Sequence, residues 1–390
     1  MAAIAATGLG ALIATGNPAT ADPKQYAAAT GVGSDTSQDV LNALAGFTPL
    51  PNASGAGTNF TPAQSSAASG KRQLASWDAV GSACITPKAP GATFTRPNGS
   101  SAGRRALSRA IDGTSYDAAS CGGGTKPVSG LIQFARSSAG PPVAGTDLTY
   151  LPFGRDGMSF GYYRSAGAPV TTLTSAELNQ LFTTGPATIG GVEMIPCGIQ
   201  TGSGTFQFWN TALGMTTTQE AAGTATCNNA ALAAGLNTGT AGRAQENDGN
   251  AVKARGDLPA FAGKQIVIGF SAANFISQSN GVVTSQLPSP AGTVNLGSID
   301  ALGQPYTGTV PNLAPSATFY ASTVYGRDIY NVVSKALLDG PGNNDIKTLF
   351  VGPTSGVCSL TATIQTFGML ALGANCGSTS LTGAFLAGTL

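Results

Sequence analysis

The chain has 390 residues, of which 9% are charged, 54 are glycine and 23 are proline, with a formal net charge of +1. Such a length supports one large two-lobed domain or two ordinary ones, and a hydrophobic content of 42% is too high for a disordered chain. The near-zero balance, with no block of Lys or Arg, excludes a general nucleic-acid surface or a polybasic membrane patch, and the absence of histidine excludes Ser-His-Asp and Cys-His catalysis and any zinc site built on imidazole.

Residues 1–21 read as a secretory signal peptide. Ala2 to Thr15 is an uncharged, Ala-rich run, followed by Pro18 and then Ala19-Thr20-Ala21, an A-x-A cleavage site before Asp22. An ordinary Ala-rich helix is the other reading, and Pro18 counts against it. No later stretch has 18 uninterrupted apolar residues, so no membrane span is expected. No cysteine near the cleavage site offers a lipid attachment point, so no lipobox is expected.

Gly31-Val32-Gly33 leads to Ser34-Asp35-Thr36 and a helix through Leu44, with Asp35 and Gln38 fitting a capping box, so the helix is expected to start near Asp35. Residues 48–72 are rich in Pro, Ser, Gly and Ala and read as a surface excursion. Asn98-Gly99-Ser100-Ser101-Ala102-Gly103 precedes a helix from Arg104 to Ile111, and a Gly-rich loop over 112–127 carries Cys121. Leu131 to Ala135 reads as a short buried strand, followed by Arg136-Ser137-Ser138. Leu148–Phe153 and Met158–Tyr163 read as two strands with a turn at Gly154-Arg155-Asp156-Gly157. Thr174 caps a helix through Phe182, and Thr201-Gly202-Ser203-Gly204-Thr205 opens another from Phe206 to Leu213, ending at Gly214. Gln265–Phe270 is a strong buried strand. Strands and helices alternating in this order indicate an α/β protein.

The six cysteines, Cys84, Cys121, Cys197, Cys227, Cys358 and Cys376, form no C-x-x-C pair, which argues against redox or metal use. Six allow 15 connectivities. The sequential pattern 84–121, 197–227, 358–376 is the simplest, because each bridge then closes one local Gly-rich loop. Loops of this size typically gain about 2–4 kcal/mol from closure.

One device recurs at 31–36, 99–103 and 201–205: small residues and hydroxyls placed where a helix begins. A helix N-terminus presents unpaired N–H groups and roughly half a positive charge. Glycine lets a ligand approach the backbone, and Ser or Thr adds an adjustable donor. Singly, each site is explained by ordinary N-capping. Three converging on one point would hold an oxyanion without a metal or other cofactor. Gly99-Ser100-Ser101-Ala102-Gly103 also matches the G-x-S-x-G nucleophile elbow. Without histidine its usual base does not exist, and the match is made of abundant residues. The chain is therefore not expected to be an enzyme.

These segments, in this order, resemble the phosphate-binding proteins of ABC importers, the PstS-like branch of the type II periplasmic binding proteins. Gly31–Asp35 resembles the first ligand loop, Gly99–Gly103 the second, and Phe134–Pro141 an F-x-x-S-D-x-P-like turn. Leu173–Gly185 resembles a family helix, and Gly202-Ser203-Gly204-Thr205-Phe206 the G-S-G-T loop. Asn247–Val252 followed by Ile268-Gly269-Phe270 resembles the passage back into the first lobe. The resemblance implies ligand contacts at Ser34, Asp35, Thr36, Ser100, Ser101, Ser137, Ser138, Ser203, Gly204 and Thr205. It departs from the family at Ile199, where an Arg is usual, at Ser138, which takes the place of an Asp, and at Asp35, which takes the place of a Thr. A carboxylate facing phosphate would repel it by about 4 kcal/mol at ~4 Å for an effective dielectric of about 20. Asp35 therefore either turns away to cap its helix or the ligand is not phosphate. Arg104, Arg136 and Arg155 are candidates to restore positive charge. Surface placement is the ordinary expectation for each, least so for Arg155.

The resemblance implies an α/β, two-lobed type II periplasmic-binding-protein fold with two interlobe crossings, near 150–154 and 266–270, and a ligand cleft. The expected division is 1–21 signal peptide, 22–152 first part of lobe 1, 153–268 lobe 2 and 269–390 second part of lobe 1. The expected function is non-catalytic capture of a small oxyanion, phosphate first, by a secreted or periplasmic monomer partnered with an ABC importer. The rival is a secreted structural or interaction protein that keeps the fold but has lost the ligand.

Overall fold

The computed structural model describes residues 22–23, 27–46, 50–51, 57–58, 60–64, 73–116, 121–341 and 344–386. The cleavage site before Asp22, and most of the Ser/Gly excursion over 48–72, lie outside them. The described chain is mixed α/β. Ten strands make one continuous hydrogen-bonded sheet: β1 (Ala29–Gly33), β2 (Leu74–Ser76), β3 (Phe134–Ser137), β4 (Leu148–Arg164), β5 (Ala187–Ile189), β6 (Val192–Pro196), β7 (Gln265–Ser271), β8 (Asn295–Leu296), β9 (Gly326–Ser334) and β10 (Thr382–Gly383). The main path runs β5-β6-β7-β4-β9-β3-β1-β2, with β8 and β10 also paired to β4.

β4 joins the two halves. Its residues 148–157 pair antiparallel with β9, and residues 158–164 pair antiparallel with β7. The turn expected at 154–157 is therefore absent, and Leu148–Phe153 and Met158–Tyr163 are one strand. The glycines serve close packing instead of chain reversal. A Cβ on Gly157 would stand 2.9 Å from the Tyr320 ring, and one on Gly154 would stand 3.0 Å from the Met369 sulfur. The only disturbance in the β4–β9 ladder is a register shift at Ile329/Tyr330, opposite Phe153 and beside Pro152, where a bulge relieves the missing proline N–H.

Around this sheet lie α1 (Gln38–Leu44), α2 (Ser100–Asp112), α3 (Ser175–Thr184), α4 (Gly204–Ala212), α5 (Thr217–Gly223), α6 (Ala225–Ala233), α7 (Gly249–Gly256) and α8 (Ala272–Ser279). α3 starts where expected: Thr174 and Glu177 form a reciprocal capping box. α2 starts four residues earlier than expected, with Gly99 at φ 95° as its N-cap. α1 starts later than expected. Its N-cap is Ser37, Asp35 does not cap it, and the Gln38 amide oxygen accepts from Ala79 N at 2.8 Å.

One core cluster gathers Phe160, Leu178, Phe182, Trp209, Ile266 and Ile268 beside β7. Leu41, Phe134, Phe153, Ile329 and Phe350 pack on one face of the other half-sheet, and Val32, Leu107, Ile132, Tyr150 and Val332 on the opposite face. Adjacent Val332 and Val333 enter different clusters, as strand alternation requires. The described residues after 268 divide between these cores: Leu296, Ile299, Phe319 and Tyr325 join the first, Ile329 and Phe350 the second. The three bridges are Cys84–Cys121, Cys197–Cys227 and Cys358–Cys376, the sequential pattern expected from loop closure. No helix among the described residues is long and apolar enough to cross a membrane.

Candidate functional site

The segments that carry hydroxyls meet where the two half-sheets join. The turn after β1 supplies Ser34, Asp35 and Thr36, the start of α2 supplies Ser100 and Ser101, and the end of β3 supplies Ser137 and Ser138. The start of α4 supplies Ser203, Gly204 and Thr205. All ten residues are buried. Ser34 Oγ donates to Ser138 Oγ at 3.1 Å, and Ser138 N donates to Ser100 Oγ at 3.1 Å. Across the cleft, Thr36 Oγ1 and Thr205 Oγ1 are 3.1 Å apart, Ser101 N donates to Gly202 O at 3.0 Å, and Asn98 donates its amide to Gln245 Oε1 at 3.1 Å. The cleft is closed. Ser203 also caps α4, accepting from Phe206 N at 2.9 Å. Ser137 stands apart: its hydroxyl closes its own turn on Ala139 O at 2.6 Å.

The three candidate arginines do not sit as expected. Arg104 and Arg136 are fully buried, whereas Arg155, the one expected to be least surface-like, is partly exposed. Arg155 is held by Asp328 at 2.7 Å and by Tyr320 O at 2.6 Å, away from the hydroxyls. Arg136 lies behind the first loop, donating to Ser34 O at 3.0 Å, Gly33 O at 3.1 Å and Ser76 Oγ at 2.7 Å. Burial lowers it to about 10. Arg104 bridges the cleft from the α2 side, donating to Gly140 O at 2.8 Å, Ser101 Oγ at 3.3 Å and Gln207 Oε1 at 2.8 Å.

The guanidinium that reaches Thr36 and Thr205 belongs to Arg327, on β9. It is 3% exposed. Its Nη2 donates to Thr205 Oγ1 at 3.1 Å and stands 3.5 Å from Thr36 Oγ1, and Nη1 donates to Ser138 O at 3.2 Å. Asp156 on β4 pairs with it at 2.8 Å, and Asp156 is fixed in turn by Ser271 Oγ at 2.8 Å and Ala273 N at 2.9 Å. Ile199, at the position of the expected Arg, is a core residue at 3% exposure. A residue pattern did point to the pair. Gly154-Arg155-Asp156 and Gly326-Arg327-Asp328 are the same tripeptide, and antiparallel pairing sets each Arg against the other's Asp.

Sequence reasoning also missed Glu246, which is fully buried. Its Oε2 accepts from Ser203 Oγ at 3.1 Å and from Thr36 Oγ1 at 3.4 Å. Burial pushes its carboxyl above the usual range, opposed by the Thr205 hydroxyl and Arg327. Asp35 is raised well above the usual range by burial, then by Glu246 and Asp39. Two buried carboxyls repelling each other favour holding at most one negative charge between them. Asp39, behind Asp35, is pushed up to about 7 by burial and Asp78.

A carboxyl raised in the folded state binds more protons folded than unfolded, so its contribution to stability is lost as pH climbs through the raised value. The melting temperature of the full chain is therefore expected to fall between pH 5 and pH 8, and Asp39→Asn to flatten that slope near pH 7. Differential scanning calorimetry across the range checks this, and a melting temperature that rises with pH contradicts it.

Beside the closed seat a cavity of about 550 Å³ is lined by Gly140, Pro141, Phe206, Phe208 and Asn210 from both sides of the cleft. No cluster of metal-ligating side chains occurs among the described residues.

No protein-family model matches the chain, and no curated protein sequence matches it. Solved structures do. An ABC-type phosphate transport receptor from Vibrio cholerae is 14% identical, with 88% of this chain and 99% of that one covered and a TM-score of 0.47. A DING protein is 14% identical, with 89% and 92% covered and a TM-score of 0.44. A phosphate-binding protein from Stenotrophomonas maltophilia is 12% identical, with 88% and 90% covered and a TM-score of 0.42.

Proposed function

We propose that the chain captures a small oxyanion, phosphate first, in the closed cleft and without catalysis. The observation that carries this reading is the convergence of six buried hydroxyls, Ser34, Thr36, Ser100, Ser138, Ser203 and Thr205, beside the Arg327 guanidinium. Hydroxyls orient to donate to an anion, the start of α4 adds helix-dipole potential, and Arg327 supplies the charge. Arg327 is itself held in place by Asp156, an arrangement suited to holding a ligand. Ser137 has no part in this seat, and Arg155 acts in the strand that joins the halves. The halves act as two lobes that close about β4 and the Ala272–Ala273 junction, where Ala272 packs in one core and Ala273 in another.

Three disulfides in one chain suit an oxidising compartment, and with the A-x-A site they support export. A monomeric solute receptor delivering to an ABC importer follows from the same reading. Two observations favour the rival, a fold kept without its ligand: Glu246 places a carboxylate among the hydroxyls, and Asp35 does not cap α1, so phosphate capture requires the Asp35 carboxyl, raised by burial, to hold its proton.

Isothermal titration of the full chain with phosphate, sulfate and arsenate tests the proposal. Thr205→Val is expected to weaken binding about tenfold, because a hydrogen bond to a charged group contributes roughly 1.5–3 kcal/mol and about 1.4 kcal/mol is a factor of ten. Unchanged affinity in Thr205→Val contradicts the seat as drawn.

A further inference from the structure

We infer that Glu246 is a built-in occupant of the oxyanion seat, a tethered carboxylate with which an external anion must compete. The inference rests on the oxyanion reading above and adds what regulates that seat. Its oxygen Oε2 takes hydroxyls from both sides of the cleft, Thr36 after β1 and Ser203 at the start of α4. Those hydroxyls would otherwise be free to donate to a ligand. The second oxygen, Oε1, is buried and has no hydrogen-bond partner among the described residues. The amide nitrogens of Gln200 and Asn247 are buried and unpartnered too. The seat thus satisfies one oxygen of its own carboxylate and leaves the other unmet, as expected when an internal group stands where a larger anion with more oxygens fits.

The backbone beside Glu246 is fixed. Glu246 N donates to Gln200 Oε1 at 2.7 Å, and Ala244 bridges Ile199. The side chain therefore yields the seat by rotating or by losing its charge. The charged groups facing it are Arg327 from β9, which attracts, and Asp35 from the turn after β1, which repels. Asp156 from β4 neutralises Arg327, and Arg136 and Asp39 act on Asp35 from behind. With both carboxyls ionised, the seat carries two uncompensated negative charges. With both protonated it carries none, and a protonated Glu246 can donate to an anion. Anion uptake is therefore coupled to proton uptake, and binding strengthens toward acid pH. The raised carboxyls of Glu246 and Asp35 agree in direction.

The test is calorimetric titration of the wild type and Glu246→Gln with inorganic phosphate at pH 5.5 and pH 7.5. Sulfate is run alongside because its charge does not change over this range. The wild type is expected to bind at least about tenfold more tightly at the lower pH, and Glu246→Gln to bind at pH 7.5 at least about tenfold more tightly than the wild type. Equal affinities of wild type and Glu246→Gln at pH 7.5 overturn the inference and leave the oxyanion reading standing. If neither protein binds phosphate or sulfate at either pH, the oxyanion reading fails, and melting of Glu246→Ala in sodium acetate decides the inference. A melting temperature raised by acetate in Glu246→Ala but not in the wild type supports a seat held by a tethered carboxylate, and no rise overturns it.

Discussion

Arg327→Met is expected to lower the unfolding free energy by about 3–5 kcal/mol and to abolish oxyanion binding. Removing one member of a buried ion pair leaves the other charge uncompensated, and that cost is in this range. Here the survivor is Asp156, which is fully buried and keeps only Ser271 Oγ and Ala273 N as donors. Thr205, Thr36 and the Ser138 carbonyl lose their shared guanidinium at the same time. Arg327→Met with Asp156→Asn is expected to recover a large part of the stability and none of the binding, because the stranded charge is gone but the seat still lacks its cation. Urea denaturation of the single and double variants measures both. A single variant within about 1 kcal/mol of wild type would show that the pair is not the internal charge balance described here.

The second large effect is at Gly204, and it separates folding from closure. A Cβ there would meet Ser100 Oγ at 2.3 Å, Ser138 Oγ at 2.4 Å and Ala139 N at 3.1 Å. Neither serine can turn away cheaply, because Ser100 Oγ accepts from Ser138 N and Ser138 Oγ accepts from Ser34. Within its own helix Ala is better than Gly by up to about 1 kcal/mol. Gly204→Ala is therefore expected to leave the denaturation midpoint unchanged or slightly raised, to weaken oxyanion binding roughly a hundredfold, and to enlarge the radius of gyration because the cleft cannot shut. Small-angle X-ray scattering with titration calorimetry checks the pair of effects. Unchanged affinity would mean that closure around Gly204 is not needed for the ligand.

Much of this site was legible in the sequence because its chemistry is local. Ser203 sits at a helix start for capping reasons that spacing reveals, and Ser34, Ser100 and Ser138 follow short strand or turn patterns that bring small polar residues to element ends. The bridges were legible for the same reason, since each closes a nearby loop. What was not legible depends on pairing between distant strands. Arg327 lies 171 residues from Asp156, and only the repeated Gly-Arg-Asp tripeptide hinted that the two segments meet. β4 reads as two strands and a turn because glycine has two uses, and the packing of Tyr320 and Met369 decides between them. Asp35 matches a capping pattern but faces other carboxyls, because α1 begins two residues beyond the turn and Gln38 is engaged by Ala79. Glu246 sits in a polar run, Gln245-Glu246-Asn247-Asp248, that has the composition of a surface loop. Its burial follows from the docking of that run against Gln200 and the first turn of α4.

The account stands on the cleft being an anion seat, and phosphate titration of the full chain at pH 5.5, by calorimetry, is the measurement closest to that claim. The expected result is saturable one-to-one binding that Arg327→Met eliminates. No heat with phosphate at millimolar concentration, in the wild type and in Glu246→Gln alike, would contradict it.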